Sequence, residues 1–455
     1  MADAHSAREV ALDILIAVEE HGAFSNLALN EQLNRSGLDT RDRGLVTELV
    51  YGTIQRQNTL DWILGRLVKK GPASLEQWAH QLLRLGLYQL RYLDRVPSRA
   101  AVHETVRIAK LRGHRGISGL VNGVLRSYLR REKEFTLKAD GSVRALSLIH
   151  SFPEWMVKQL IHSYGSDTAT HILESLNRRP SLSLRVNPLR ADREQVAAAL
   201  TESFPEAGVA LSPVSSQGLT VRGSGNPAAH PGFAQGWFTI QDESSMLVAE
   251  VVNPEPGRRV LDGCAAPGGK STHLAERMGN EGFLLASDIH SHKVRLIEES
   301  ARRLGLSIIE AQQADLRQYP QEAEEASFDY VLLDAPCSGW GVIRRKPEIK
   351  WTKEAKAVKE LVRLQRELLA AAARMVKPGG VLVYSTCTME PRENEEQMQS
   401  FLADHPNFVV DETVLELLSP AVQEKALHRG GGIQILPHHF ESDGFFIMRM
   451  RKERE

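Results

Sequence analysis

The sequence predicts a multidomain protein, with an all-α bundle first, a small α+β domain next and a larger α/β domain last. Apolar residues recur at helical spacing over the first 135 residues, and near residue 181 the spacing changes to an alternation of period two. Beyond residue 236, short apolar runs alternate with helical stretches. The 455 residues are enough for two or three separate cores. The expected domains are 1–140, 145–235 and 236–455.

The first domain is predicted from amphipathic runs that are interrupted at Gly71-Pro72. Their apolar positions include Leu45, Val46, Leu49, Val50 and Ile54, then Leu60, Ile63, Leu64 and Leu67, then Leu82, Leu83, Leu85, Leu87 and Leu90. Such helices with short connections form bundles. The second domain is predicted from strands at 181–186 and 219–221 and from a helix at 193–200.

The third domain repeats the order strand, turn, helix. The candidate strands are 259–264, 283–289, 308–314, 330–335, 381–386 and 445–450. Helices are expected at 293–304 and 355–375, and Pro378-Gly379-Gly380 is expected to end the second helix and turn the chain into the next strand. This alternation predicts a mostly parallel sheet with helices on both faces.

Composition places the chain among ordinary globular proteins, with 42% hydrophobic and 25% charged residues. No apolar run is long enough for a membrane span, and the first ten residues lack an apolar signal segment, so we expect a cytoplasmic protein.

The net charge is only -1, but residues 84–131 hold eleven basic residues against two acidic ones. This stretch can bind backbone phosphates; solvated helix faces are the alternative interpretation.

The three cysteines are Cys264, Cys337 and Cys387. None forms a C-x-x-C pair, and no Cys/His cluster has the spacing of zinc ligands, so neither a disulfide framework nor a metal site is predicted. Each cysteine lies instead at the end of an apolar run, beside a glycine, proline or threonine motif.

A nucleoside site is predicted where the first strand of the third domain ends. The run is Asp262-Gly263-Cys264-Ala265-Ala266-Pro267-Gly268-Gly269-Lys270-Ser271. Glycines here allow backbone N–H groups to approach a ligand closely, and the following helix offers a positive end. A P-loop is excluded, because that motif needs glycine at position 264.

Two further acids end the next two strands. Asp288 is placed to bind a ribose diol, and Asp315 is placed to accept from an adenine amino group. A helix cap or surface charge is the alternative for any one acid, but acids at three successive strand ends favour a nucleoside pocket. NAD fits the same spacing, so the spacing alone does not choose the cofactor.

The other two cysteines follow neighbouring strands, in Asp334-Ala335-Pro336-Cys337-Ser338-Gly339 and Ser385-Thr386-Cys387-Thr388. Adjacent strand ends would bring both thiols into one crevice. The alternative is that each cysteine is a small buried hydrophobe, which is common for a single free cysteine.

These motifs, in this order, resemble the Sun family of RNA cytosine-C5 methyltransferases, together with Gln241-Asp242-Glu243-Ser244-Ser245 and Asp443-Gly444-Phe445-Phe446. The resemblance implies a Rossmann-like class I methyltransferase fold. It also implies a S-adenosyl-L-methionine pocket lined by residues 264–270, Asp288, Asp315 and Asp334. It assigns the nucleophile to Cys387 and the helper role to Cys337. One departure is Ser271, where many members have threonine.

The first domain resembles NusB, an RNA-binding antitermination factor. The resemblance lies in Arg41-Asp42-Arg43, Leu49-Val50-Tyr51-Gly52, Gly86-Leu87-Tyr88-Gln89-Leu90 and Val121-Asn122-Gly123-Val124-Leu125-Arg126. With a small RRM-like or ferredoxin-like domain between, the whole chain resembles family members that modify 16S ribosomal RNA. We therefore expect an RNA partner, no membrane, no metal and a monomer.

Cytosine C5 is a poor nucleophile, which explains why the implied reaction needs a thiol. A thiolate that adds to C6 makes C5 reactive toward a methyl donor, and its later expulsion restores aromaticity. Lys270 is expected to favour the thiolate, and Asp334 to bind the N3 and amino edge of the base. Two alternatives stay open: a transfer RNA substrate, and a NusB-like RNA-binding regulator whose methyltransferase half is inert.

Overall fold

The computed structural model describes residues 6–223, 225–318, 326–352 and 355–454, and the chain divides into two compact units. The first unit comprises Met1–Asn177 and Ile343–Lys353, and the second comprises Arg178–Val342 and Glu354–Glu455. The first unit is therefore completed by a segment from much later in the chain.

The first unit is helical. Its helices in the first 177 residues are α1 (Ala7–His21), α2 (Ser25–Arg35), α3 (Thr40–Gln55), α4 (Gln57–Leu67), α5 (Gln77–Tyr92), α6 (Ser98–Arg112), α7 (Arg115–Arg131), α8 (Val143–His150), α9 (Glu154–Tyr164) and α10 (Ser166–Leu176). Helix α5 packs against α1, α3, α4, α6 and α7, and its residues Leu82, Leu83, Leu85 and Leu87 are fully buried. The amphipathic runs of the sequence thus supply the core of a bundle.

The second unit begins with a small antiparallel sheet. Its elements are β1 (Leu182–Val186), α11 (Arg193–Ser203), β2 (Gly208–Leu211), β3 (Gly218–Arg222), α12 (Pro231–Ala234) and β4 (Phe238–Ile240). The strand order is β2–β3–β1–β4. Leu184, Leu219 and Phe238 from the sheet form one core with Val196 and Leu200 of α11. The predicted strands and helix of this region are present.

A larger mixed sheet follows. The elements are α13 (Glu243–Val252), β5 (Arg259–Asp262), α14 (Gly269–Arg277), β6 (Phe283–Asp288), α15 (Ser291–Leu304), β7 (Ile309–Gln313), β8 (Phe328–Asp334), α16 (Ile349–Thr352), α17 (Ala355–Met375), β9 (Val376–Thr386), α18 (Glu395–Asp404), β10 (Phe408–Val410), α19 (Pro420–Lys425), β11 (Leu427–Arg429), β12 (Gly432–Ile435), α20 (Pro437–Phe440) and β13 (Phe445–Lys452). Of these, α16 belongs to the first unit. The strand order is β11–β12–β13–β9–β8–β5–β6–β7, and β10 also pairs with β13.

The sheet is parallel from β7 to β9 and antiparallel from β9 onward. The prediction of a mostly parallel sheet is therefore correct for one part only. Strands β12 and β13 pair directly through a short connection, whereas a parallel neighbour would need a longer crossover.

Pro378-Gly379-Gly380 does not separate helix from strand as expected. Helix α17 ends at Met375 and β9 begins at Val376, so the three residues lie within the strand. The register of β8 against β9 shifts there, between the pairs Phe328–Val376 and Tyr330–Val381. Gly379 has φ 78°, which glycine adopts without strain. The run therefore produces a bulge in β9.

The segment 343–352 makes its described polar contacts inside the helical unit. Glu348 accepts hydrogen bonds from the Ser25 backbone N–H (3.1 Å) and hydroxyl (2.7 Å), at the start of α2. The Lys350 ammonium donates to the Gln55 and Ser151 carbonyls and lies 3.7 Å from the centre of the Phe152 ring. These contacts tie α2, α3 and the α8–α9 turn to one segment.

Candidate active site

The two thiols predicted to share a crevice are adjacent. The Sγ atoms of Cys337 and Cys387 are 3.3 Å apart, and both side chains are half-buried. Their proximity follows from the sheet, because β8 and β9 are paired in register with Asp334 opposite Ser385. Each cysteine lies in the loop that follows its strand, and both loops begin at the same edge of the sheet.

A buried carboxylate holds the loop that carries Cys337. Glu393 accepts from the Ser338 backbone N–H at 2.9 Å and from the Gln365 amide at 2.8 Å. The same amide donates to the Pro336 carbonyl, and the Ser338 hydroxyl contacts that of Thr388 at 2.8 Å. The sequence motifs do not include Glu393 or Gln365. Both lie outside the motifs after β8 and β9, and only the folded chain brings them to this loop.

The Lys270 ammonium joins the glycine-rich turn to the thiol end of the site. Its Nζ donates to Asp334 Oδ2 at 2.6 Å and lies 5.0 Å from the centre of the Phe445 ring. Burial alone would lower the pKa of Lys270, but the charges of Asp334 and a Cys387 thiolate raise it above its ordinary value. The lysine is therefore a fixed cation on the side of Cys387.

Asp334 has both carboxylate oxygens engaged. Oδ2 accepts from Lys270, and Oδ1 accepts from the Ser385 hydroxyl at 2.7 Å. Each oxygen keeps a second lone pair that a base amino group can use. Ser385 was singled out only as part of its motif, and the structure gives it a specific role in orienting this carboxylate.

The surroundings of Cys337 disfavour its ionisation. Its hydrogen bond with Cys387 and its burial raise the pKa of the Cys337 thiol, and the carboxylates of Glu393 and Asp334 act in the same direction. A thiol that stays protonated beside Cys387 can donate to the Cys387 sulfur.

The glycine-rich turn between β5 and α14 has the features of a ligand-binding turn. Gly268 precedes α14 with φ 101°, and a Cβ there would lie 3.1 Å from Ile297 Cα. Among the described residues, no side chain caps the start of α14, so its first N–H groups have no side-chain acceptor there. Asp262 is fully buried, and its Oδ2 accepts from Ser271 while Oδ1 has no partner among the described residues.

The strand-end acids surround Cys264. Burial first, and then the charges of Asp262, Asp334, Asp288 and Asp315, raise the pKa of its thiol. Asp288 Oδ1 accepts from the His290 N–H at 3.0 Å. Asp315 forms an ion pair with Arg317, whose guanidinium donates to both carboxylate oxygens and lowers the pKa of Asp315. These four acids therefore all act electrostatically on one thiol.

These residues fit S-adenosyl-L-methionine. The turn 264–270 would supply backbone donors for the methionyl part, and Asp288 would supply a hydroxyl acceptor at the next strand end. Two polar features near this turn have no described side-chain partner: Oδ1 of Asp262 and the first N–H groups of α14. Among the described residues, no cluster of histidine, cysteine or acidic side chains could hold a metal ion.

A basic groove lies between α6 and α7 in the first unit, with a volume of about 780 Å³. Arg99, Lys110, Arg115 and Arg126 line it, and all four are exposed. Other bases of the stretch 84–131 are occupied: Arg84 pairs with Asp61 and Glu19, Arg107 with Glu9 and Glu104, Arg112 with Asp13 and Arg131 with Glu134. The free positive charge is therefore smaller than the sequence count suggests, and Arg99, Lys110, Arg115 and Arg126 place part of it in the groove. No described helix is long and apolar enough to cross a membrane.

Family models match three stretches of the chain. They are the NusB family at residues 5–130, a ferredoxin-like domain of RsmF/B-like methyltransferases at 152–226, and 16S rRNA methyltransferase RsmB/F at 249–451. The predicted fold class of a NusB-like bundle, a ferredoxin-like domain and a Rossmann-like methyltransferase domain is thereby confirmed.

Relatives cover nearly the whole chain. A probable ribosomal RNA small subunit methyltransferase B of Bacillus subtilis is 44% identical over 98% of this chain and 99% of its own. The corresponding protein of Synechocystis is 40% identical over 98% and 99%. The crystal structure of PH0851 has a TM-score of 0.82 at 28% identity and covers 98% of this chain and 99% of its own.

The fold and the strand-end pocket define a methyltransferase that uses S-adenosyl-L-methionine. Within that class, the identity to relatives and the family models show that the chain belongs to the RsmB/F family of 16S rRNA methyltransferases.

Proposed function

We propose that this protein methylates carbon 5 of a cytosine in 16S ribosomal RNA, with Cys387 as the nucleophile. The observation that carries the proposal is the pair of sulfur atoms 3.3 Å apart, beside the Lys270–Asp334 ion pair. A methyl transfer to a nucleophilic nitrogen or oxygen needs no thiol, whereas a transfer to pyrimidine C5 does. The names of the relatives support ribosomal RNA as the substrate.

The reaction begins with the Cys387 thiolate, which the Lys270 charge stabilises. Its sulfur forms a bond to cytosine C6, and the electrons of the C5–C6 double bond become available at C5. Asp334 accepts from the base amino group and, when it shares a proton with N3, offsets the charge on the ring. S-adenosyl-L-methionine supplies the methyl group that C5 takes up.

Release reverses the addition. C5 loses its proton to a base, the C5–C6 double bond forms again, and the C6–sulfur bond breaks with its electrons returning to Cys387. We assign assistance in this step to Cys337, whose S–H lies next to the departing sulfur. A proton donated by Cys337 would stabilise the leaving thiolate.

The basic groove supports RNA as the partner. Four exposed cations on α6 and α7 can neutralise backbone phosphates without reading sequence. The target base must be unstacked to expose C6 and C5 to opposite reactants, which is easiest for an unpaired nucleotide.

The division into domains at 1–140, 145–235 and 236–455, the cytoplasmic location and the monomeric state stay predictions.

Cysteine variants test the mechanism. With a tritiated methyl donor and 16S RNA, Cys387→Ala should transfer no label. Cys337→Ala should accumulate a protein–RNA adduct that survives denaturing electrophoresis. The matched control is the double variant, which should form no adduct. Full activity of Cys387→Ala would refute the proposed nucleophile, and an adduct in the double variant would place the bond elsewhere.

Substrate identity needs a separate measurement. Bisulfite mapping of RNA from cells that lack the protein should show one cytosine of 16S RNA losing its methyl group. Loss of a methyl group from transfer RNA instead would favour the alternative substrate. An unchanged map, together with no label transfer in vitro, would favour an RNA-binding regulator with an inert methyltransferase half.

A further inference from the structure

Arg185 is a fully buried guanidinium in the small sheet that precedes the methyltransferase sheet. It lies on β1 opposite Gly218 of β3 and Thr239 of β4, and its side chain has 0% exposure. A buried guanidinium is stable only where its donors are satisfied and its charge is balanced. The partners of Arg185 therefore indicate what the residue holds in place.

Three of these partners, Gly269, Thr272 and Glu276, belong to α14. Nε and Nη2 donate to the two Glu276 carboxylate oxygens at 2.8 and 2.9 Å. Nη1 donates to the Gly269 carbonyl at 2.6 Å, and Nη2 donates to the Thr272 hydroxyl at 3.0 Å. The fifth N–H bonds to the Gln241 side chain. All five donors are thus used.

Two of these contacts reach the glycine-rich turn itself. Gly269 is the first residue of α14, and its carbonyl is fixed by Arg185. Thr272 links Arg185 to Gly268 as well, because the Thr272 hydroxyl donates to the Gly268 carbonyl at 2.8 Å. Lys270, whose ammonium holds Asp334, lies between these two residues in the chain.

We propose that Arg185 is a positioning residue that sets the affinity for S-adenosyl-L-methionine by fixing the glycine-rich turn from the neighbouring small domain. This inference rests on the proposed cofactor site at 264–270. The planar Arg185 guanidinium donates twice to the Glu276 carboxylate and once to the Gly269 carbonyl. Three contacts from one rigid group define both the position and the orientation of the turn. A salt bridge to Glu276 alone would stabilise α14 without constraining Gly269.

Glu276 accounts for the position of the Arg185 guanidinium beside α14. It is also fully buried, on the same helix and one turn beyond Thr272, and it balances the guanidinium charge. The remaining donors are then free to bind the turn. Gln241, from the Gln241–Ser245 motif, binds the guanidinium and also donates to Ser245 at 3.2 Å. This motif therefore acts through Arg185 on the cofactor turn.

The test compares Arg185→Lys with Arg449→Lys in the full-length protein. Arg449 is a matched control, because it is also buried, pairs with Asp411 at 2.7 Å and donates to the Val251 and Val252 carbonyls. It makes no described hydrogen bond to the glycine-rich turn. Both lysine variants keep the charge and lose the fork, so both should lower the melting temperature.

Affinity for the cofactor distinguishes a positioning role of Arg185 from a purely structural role. Titration calorimetry should give a Kd for S-adenosyl-L-methionine that rises on the order of tenfold or more in Arg185→Lys. The Kd should stay at the wild-type value in Arg449→Lys. Thr272→Val, which removes only the hydroxyl relay, should raise the Kd less, and this variant keeps the test open if Arg185→Lys does not fold. RNA affinity should not change in any of them.

Asp288→Ala distinguishes failure of this inference from failure of the cofactor site. If Asp288→Ala weakens cofactor binding but Arg185→Lys and Thr272→Val bind like Arg449→Lys, the positioning role is refuted and the site stands. If Asp288→Ala binds the cofactor normally, the proposed site itself is wrong.

Discussion

Within the active site, the two thiols have different electrostatic surroundings. The Lys270 ammonium interacts with Cys387, whereas the carboxylates of Glu393 and Asp334 act on Cys337. A cation lowers the cost of a thiolate and an anion raises it. The raised pKa of Cys337 disfavours that residue as the thiolate and so supports the assignment of the nucleophile to Cys387, which the sequence motifs alone could not do.

Lys270→Met should slow adduct formation about a hundredfold, because the thiolate and Asp334 both lose their cation. Single-turnover adduct formation in a Cys337→Ala background measures this rate. Lys377→Met, which breaks an ion pair with Asp329 outside the site, is the control. Equal rates for the two lysine variants would contradict the role of Lys270.

Glu243 gives a pH-dependent stability. Burial raises the pKa of Glu243 to about 7, although the Ser212 hydroxyl donates to it. The unfolded chain binds the proton less tightly, so this residue's stability contribution is full below pH 4.5 and is lost as pH rises through 7. Glu243→Gln should therefore gain about 3 kcal/mol relative to wild type at pH 8 and little at pH 4.5. Denaturant unfolding at both pH values measures this, and an equal difference at both would contradict it.

Sequence motifs at strand ends predicted the residues nearest the chemistry, because each motif is contiguous. They did not predict Glu393, which the fold brings back to Ser338 from beyond the second motif. They also gave no sign that Arg317 engages Asp315. Side-chain partners of this kind depend on the turn that follows each strand, and the spacing of motifs carries no information about it.

At the scale of elements, three loops at one end of the sheet are joined through backbone hydrogen bonds. The Gly341 N–H donates to the Cys387 carbonyl at 3.0 Å, and the Gly444 N–H donates to the Gly341 carbonyl at 3.0 Å. These loops follow β8, follow β9 and precede β13. The antiparallel strand β13 thus supports the catalytic loops as well as extending the sheet.

Gly341→Ala should disrupt that arrangement, because a Cβ there would lie 1.9 Å from the Gly444 carbonyl oxygen and 2.8 Å from that of Cys387. The loops must separate, so methyl transfer should fall by at least about a hundredfold with cofactor binding retained. Calorimetry and label transfer measure the two quantities. Gly44→Ala, in open space on α3, is the control and should be neutral or slightly stabilising. A Gly341→Ala enzyme with wild-type activity would contradict the role of this contact.

Apolar runs predicted the parallel strands well, because each buried strand has a short, dense apolar signal. The short strands β10, β11 and β12 were not predicted. They have few residues each, and their pairing with β13, or in the case of β11 with β12, is not marked in the local sequence. Strand β13 itself was predicted, as the candidate strand 445–450, but its antiparallel direction was not.

At the scale of the whole molecule, the helical unit depends on a segment that interrupts the methyltransferase sequence. Glu348 serves as the acceptor at the start of α2, where Phe24 provides no side-chain cap. Trp351 donates to the Ile54 carbonyl at 2.8 Å and packs against the helical core. A first domain of 177 residues alone would lack these contacts, so the unit is not a self-contained module in the chain.

Glu348→Ala in the full chain should destabilise the helical unit by about 2 kcal/mol, because the α2 N-terminus loses its acceptor and the buried Ser25 hydroxyl loses its partner. Hydrogen exchange should become faster in α2, while β5, β8 and β9 keep wild-type protection. Glu360→Ala, an exposed acid on α17, is the control and should leave α2 unchanged. If α2 exchanges equally slowly in both variants, Glu348 does not contribute to the helical unit. If it exchanges faster only in Glu348→Ala, a residue inserted from the methyltransferase sequence stabilises the bundle.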